Sequence, residues 1–162
     1  MVPSLEESAR ALLDLCRTKA LKIACAESCT GGLLAATLTD IPGSSDVLER
    51  GFVTYSNQAK QDMLGVSALT LAHFGAVSRE TAEAMATGAL ANAPVDLAVA
   101  ITGIAGPGGG SPGKPVGLVH FAAGARGALI HRERKFGDVG RTQVRVASVV
   151  EALAMLRELA QA

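Results

Sequence analysis

Leu21-Lys22-Ile23-Ala24-Cys25-Ala26-Glu27-Ser28-Cys29-Thr30-Gly31-Gly32-Leu33-Leu34-Ala35-Ala36-Thr37-Leu38-Thr39 is the stretch on which the fold turns. Leu21, Ile23 and Cys25 alternate with Lys22 and Ala24, which predicts a strand ending near Glu27. Ser-Cys-Thr-Gly-Gly follows as a tight loop, and Leu33 to Leu38 reads as a helix, so residues 21–39 form strand, loop and helix.

The pattern repeats outward. Upstream, Ser4 and Glu7 make a capping box in front of Leu5, Ala9, Leu12, Leu13 and Cys16, which share one helical face. Downstream, Ile41-Pro42-Gly43-Ser44-Ser45 breaks the helix, and Phe52 to Tyr55 predicts a second strand. Ser56 or Asn57 can cap a short helix over 58–64. Leu69 to Phe74 reads as another short helix, closed by Gly75. Ser78 caps a further one, whose Ala82, Met85, Ala86, Ala89 and Leu90 lie on one face. Asp96 to Ile101 is nearly all apolar, as a strand buried on both faces requires. Thr102 to Gly117 holds seven glycines and three prolines and cannot be regular. Val116–Ala123 and Ala128–Phe136 predict a hairpin around Gly124–Gly127, and Val146, Val149, Val150, Leu153, Leu156 and Ala160 mark a long last helix. Helices alternating with strands predict one three-layer α/β/α domain over residues 1–162, with a mixed central sheet.

Composition bounds the function. The chain has 162 residues, 15 Lys plus Arg against 15 Asp plus Glu, 49% apolar and 19% charged residues. Zero net charge argues against a nucleic-acid or anionic-membrane binder, and 3% aromatic residues argue against base stacking. No stretch resembles a signal peptide and no run approaches 18 apolar residues, so a cytoplasmic protein without a membrane span is expected. Cys16, Cys25 and Cys29 lack CxxC spacing, and His73, His120 and His131 are scattered, so neither metal nor cofactor is expected.

Four places could carry chemistry. Ser28, Thr30, Gly31 and Gly32 can cradle a phosphate or carboxylate, or can be a plain turn with Thr30 as the helix cap. The loop Gly103-Ile104-Ala105-Gly106-Pro107-Gly108-Gly109-Gly110 can be a lid or, with Thr102, an oxyanion wall. Gly108 to Lys114 nearly matches a nucleotide-triphosphate loop, but Pro115 cannot supply the magnesium-binding hydroxyl. Ser44-Ser45, Tyr55 and Lys60 offer a serine–lysine pair, provided the lysine is desolvated; the bland alternative is an exposed Lys60. Arg141 and Arg145 share a helical face and can fork onto a phosphate, or can be a solvated face.

Taken in order, several segments resemble the CinA C-terminal domain family, in the form of its stand-alone nicotinamide-nucleotide amidases. They are Ala26–Gly32 (AESCTGG), Gly43–Ser45, Glu49–Ser56 (ERGFVTYS) with Asn57 and Lys60, Gly75–Ser78 (GAVS), Ile101–Pro107 (ITGIAGP) and Lys114–Gly117 (KPVG). The resemblance implies hydrolysis of the carboxamide of nicotinamide mononucleotide to the acid and ammonia by a metal-free serine amidase. On this chain it places the nucleophile on Ser45, the base on Lys60 and assistance on Tyr55; full activity in Ser45→Ala would make Ser28 the next candidate nucleophile. Ser28–Gly32, Thr102, Gly103, Arg141 and Arg145 are then expected to bind the substrate. Its only expected partners are that nucleotide and other copies of the chain, a dimer first. Where the family reads Gly-Asp-Arg, this chain inserts Val139-Gly140 between Asp138 and Arg141. The alternatives are a non-catalytic nucleotide-binding module of the same fold and an amidase for another small carboxamide.

Overall fold

The computed structural model describes residues 2–162. Helix α1 (Leu5–Thr18) starts on its capping box: Ser4 Oγ accepts the Glu7 N–H at 3.1 Å, and Glu7 Oε2 accepts the Ser4 N–H at 2.7 Å. The chain then runs β1 (Ile23–Glu27), α2 (Leu33–Thr39), a single 3-10 turn (Ser44–Asp46), β2 (Leu48–Val53), α3 (Asn57–Leu64), α4 (Ala68–Phe74) and α5 (Arg79–Ala91). It ends with β3 (Leu97–Gly103), β4 (Leu118–Ala125), β5 (Ala128–Lys135) and α6 (Arg141–Gln161). The five strands form one sheet in the order β2-β1-β3-β4-β5. β1 pairs in parallel with both β2 and β3, whereas β4 and β5 are antiparallel to their neighbours.

The side-chain period of two divides the core into unlike halves. Ile23, Cys25, Leu97, Val99, Ile101, Val119 and Phe121 pack bulky groups against α1, α2 and α6. Ala24, Ala26, Ala98, Ala100 and Ala122 face α5 with methyl groups only, which suits a close-lying helix built on Ala82, Met85, Ala86 and Ala89. Gly88 brings the second helix on that side in as well. A Cβ there would stand 2.0 Å from the Leu64 carbonyl oxygen, so α3 seats on α5 only because the side chain is missing.

Because β1, β2 and β3 are parallel, their carboxyl ends share one rim of the sheet. Ser28, Thr54–Tyr55 and Thr102–Gly103 therefore meet there, at the edge where open α/β sheets take ligands.

Three boundaries differ from the sequence reading. β2 occupies 48–53, so Tyr55 follows the strand, and β3 continues to Gly103. The hairpin closes on Arg126-Gly127 alone, with Gly127 at φ +86°, a backbone that glycine adopts freely. α6 begins at Arg141, where the shared helical face of Arg141 and Arg145 puts the start of the last helix. No helix among the described residues is long and apolar enough to cross a membrane.

Candidate active site

Lys60 is among the largest fully buried side chains of the described residues, 1% exposed. Its place follows from a cap: Ser56 Oγ accepts the Ala59 N–H at 3.0 Å, starting α3 so that Lys60 and Leu64 turn inward on one face. Lys60 Nζ lies 3.0 Å from Ser28 Oγ and 2.8 Å from the Thr54 carbonyl oxygen. No carboxylate among the described residues is paired with it. Burial pulls its pKa below the ordinary lysine value, opposed only weakly by neighbouring Cys29. A lysine so placed has a readier neutral form, the form that can take a proton from a serine.

Ser28 directly follows β1 and is itself mostly buried. Its turn depends on glycine, since Gly31 and Gly32 sit at φ +56° and +102°. Cys29 is not a rival nucleophile, because burial pushes its thiol up to about 11. A cavity of about 270 Å³ opens over the pair, lined among others by Ser28, Cys29, Tyr55, Lys60, Ala76, Thr102, Gly103, Gly106 and Arg141. Its charged lining residues are Lys60 and Arg141, with no acid. Such a pocket favours an anionic guest.

The structure separates Ser45 from this group. Ser45 is exposed in the 3-10 turn before β2, whereas Thr54 follows β2. The strand between them spans roughly 20 Å at about 3.3 Å per residue. The hydroxyl within reach of Lys60 belongs to Ser28. Tyr55 makes no hydrogen bond to Lys60 either. Its hydroxyl accepts from Arg141 Nη2 at 2.8 Å, and the ring is 63% exposed at the cavity mouth. Arg141 also donates to the Gly106 carbonyl at 2.8 Å, tying the glycine-rich loop to the mouth.

Arg145 lies away from the cavity lining and donates to the carbonyls of Cys29 at 3.2 Å and Thr30 at 2.8 Å. The Ser28–Gly32 turn is not an open phosphate cradle. The N–H groups of Leu34 and Ala35 are taken by the two oxygens of Glu27, at 2.9 and 3.1 Å, and that negative charge repels an anion. Thr30 does not cap α2 by its side chain: Gly32 occupies the cap position, and the Thr30 hydroxyl is buried without a partner. The Thr102 hydroxyl is committed to the Ala76 carbonyl at 2.7 Å, which removes it as an oxyanion donor. Gly103 does line the cavity, and a Cβ there would lie 2.6 Å from Val119 Cγ2.

The loop after β3 leads from Gly103 into strand β4, not into a helix, so it lacks the geometry of a nucleotide-triphosphate loop. Glu27 is the residue that sequence reading passed over. Its signal was an acid closing an otherwise apolar strand, directly before the serine.

A family model described as the CinA C-terminal domain matches residues 5–160. The chain is 50% identical over 139 residues to a nicotinamide-nucleotide amidohydrolase PncC of Enterobacter agglomerans, covering 85% of this chain and 84% of that one. It is 49% identical over 150 residues to a CinA-like protein of Synechococcus sp., covering 92% of this chain but 36% of that relative. The chain thus spans about a third of the longer curated relatives. Among solved structures, the competence/damage inducible protein CihA of Agrobacterium tumefaciens superposes with a TM-score of 0.95 at 56% identity, over 98% of both chains. The competence damage-inducible protein ComA of Klebsiella pneumoniae does so at 0.92 and 36% identity, over 96% of both.

Proposed function

The chain belongs to the CinA C-terminal domain family, and from that premise we propose that it is a serine amidase hydrolysing the carboxamide of nicotinamide mononucleotide. The observation that carries this reading is the contact of 3.0 Å between a buried lysine amine and a serine hydroxyl at the floor of a cavity without acids. An amide carbonyl is a poor electrophile, so nucleophile, base and oxyanion donors must converge on it.

Ser28 is the nucleophile in this reading and Lys60 the base. The neutral amine of Lys60 keeps one N–H on the Thr54 carbonyl and receives the Ser28 proton on its lone pair. Ser28 Oγ bonds to the carboxamide carbon. Lys60 then returns the proton to the amide nitrogen, the C–N bond breaks and ammonia leaves. Water attacks the resulting ester and gives a proton to Lys60, which passes it to Ser28 Oγ as the C–O bond breaks, so that the carboxylic acid leaves and the neutral amine is restored.

The phosphate of the nucleotide falls to Arg141 at the mouth. This guanidinium is on the cavity wall and can exchange its bond to the Tyr55 hydroxyl for a charged oxygen. Tyr55 orients that arginine. Incubation with nicotinamide mononucleotide, with ammonia and the acid nucleotide as readouts, tests the reading. Turnover by wild type and none by Ser28→Ala is the expected result; binding without turnover by wild type identifies a non-catalytic module.

A further inference from the structure

Resting on that reading, we propose that Glu27 and Arg145 are positioning residues of the amidase: together they lock the turn after Ser28 so that the peptide N–H of Cys29 receives the developing oxyanion. Neither residue lines the cavity. Glu27 spends its side chain on the first turn of α2, directly after this loop, and Arg145 spends its own on the loop's carbonyls.

Gly32 has no side chain to cap α2, which leaves the N–H groups of Leu34 and Ala35 without a local acceptor. Glu27, 1% exposed, supplies both acceptors from the end of β1. Its own carbonyl accepts the Thr54 N–H at 2.9 Å, so the residue that anchors α2 also holds the strand end whose carbonyl binds Lys60. From the other side, Arg145 donates to the carbonyls of Cys29 and Thr30.

Peptide planarity converts those bonds into directions. The Cys29 carbonyl and the Thr30 N–H belong to one peptide plane and point oppositely, so Arg145 turns the Thr30 N–H away from itself. The Ser28 carbonyl accepts the Gly31 N–H at 3.0 Å, which fixes the next plane and with it the Cys29 N–H. Among the described residues, neither N–H donates to a backbone carbonyl, and the Cys29 N–H faces only its own thiol. Cys29 directly follows the attacking serine and lines the cavity, and a donor fixed in advance at that position is worth more than one that must reorient.

The test compares Arg145→Lys, Arg145→Met and Glu27→Gln with Arg141→Ala and Ser28→Ala, using two probes. With nicotinamide mononucleotide, the Arg145 and Glu27 variants lose roughly ten- to a thousandfold in kcat with KM within about threefold. Arg145→Lys, which keeps one donor, recovers part of what Arg145→Met loses. The second probe is a sulfonyl fluoride, read as mass added to Ser28: Oγ bonds to sulfur, fluoride leaves, and the serine proton passes to Lys60. It needs no nucleotide recognition, and its labelling rate falls in the same variants when measured well below the melting temperature of each. Normal kcat and normal labelling in both Arg145→Met and Glu27→Gln overturn the proposal, as does a change confined to KM. A wild type that is labelled but does not turn over the nucleotide leaves the substrate reading wrong, and the labelling rates alone then decide on the clamp.

Discussion

Ser28 and Ser45 both sit beside glycines in turns next to a strand, yet they have opposite surroundings. Ser28 follows β1, is mostly buried, and has a buried amine 3.0 Å from its hydroxyl. Ser45 precedes β2 and is exposed in a 3-10 turn, where Arg17 donates to the Gly43 carbonyl and pairs with Asp46. What separates them is strand direction. β1 and β2 are parallel, so the residues after each strand gather at one rim and the residues before it lie at the other. A serine in a glycine turn becomes a nucleophile only when the topology delivers a base into the same dry space.

The hardest test of that contrast is removal of each hydroxyl. Ser28→Ala is expected to lower kcat by a factor on the order of 10⁴–10⁶, while Ser45→Ala stays within about twofold. Steady-state ammonia release measures both. Loss of activity in Ser45→Ala with full activity in Ser28→Ala would break the assignment.

Lys60→Met should come close to the Ser28→Ala loss, and the double variant should be little worse than either, because the two groups act as a unit. In wild type, kcat/KM should rise with pH as Lys60 loses its proton, with a midpoint below that of an ordinary lysine. A rate independent of pH between about 6 and 10 would remove Lys60 as the base.

Arg141→Ala sharpens the contrast at the mouth of the rim. A charge-assisted bond to phosphate is worth about 1.5–3 kcal/mol, so KM for the nucleotide should rise roughly ten- to a hundredfold. Activity on the riboside, which has no phosphate, should hardly change. An unchanged KM would place the phosphate elsewhere.

Much of this was legible in the chain. Alternation at 21–25, the apolar run 96–101 and the glycine-rich loop after it pointed to the α/β class and the ligand-bearing rim, and the resemblance picked out Lys60. The choice of serine was not legible. Ser45 and Lys60 are 15 positions apart and Ser28 and Lys60 are 32 apart, and separation along the chain says nothing about which strand end each occupies. The two arginines show the same limit. Their four-residue spacing places Arg141 and Arg145 on one helical face, but only the packed structure shows one at the cavity and the other on the carbonyls of the Ser28 turn. Glu27 stayed unread because a strand-end acid carries no motif until the orphan N–H groups of Leu34 and Ala35 are seen beside it.

The smallest expected effect concerns stability, and it tests the burial of Lys60 without reference to catalysis. Its pKa is lowered in the folded protein by burial and stays near about 10.4 in the unfolded chain. Between those two values the unfolded chain binds more protons than the folded one, so stability rises as pH rises through that window. Lys60→Met has no such group, and its stability lacks that component. The melting temperature of wild type minus that of Lys60→Met should therefore increase from about pH 7 toward about pH 10. The change should be a few degrees, since about 1 kcal/mol moves Tm by roughly 2–4 °C at this chain length. Contributions from His120 and His131, which burial also shifts down, are common to both proteins and cancel in the difference. Ser45→Ala, at the other rim, should show no pH-dependent difference from wild type. A Lys60 difference that stays flat across the window would mean that the amine titrates in the fold as it does in the open chain, and Ser28 would then lose its base.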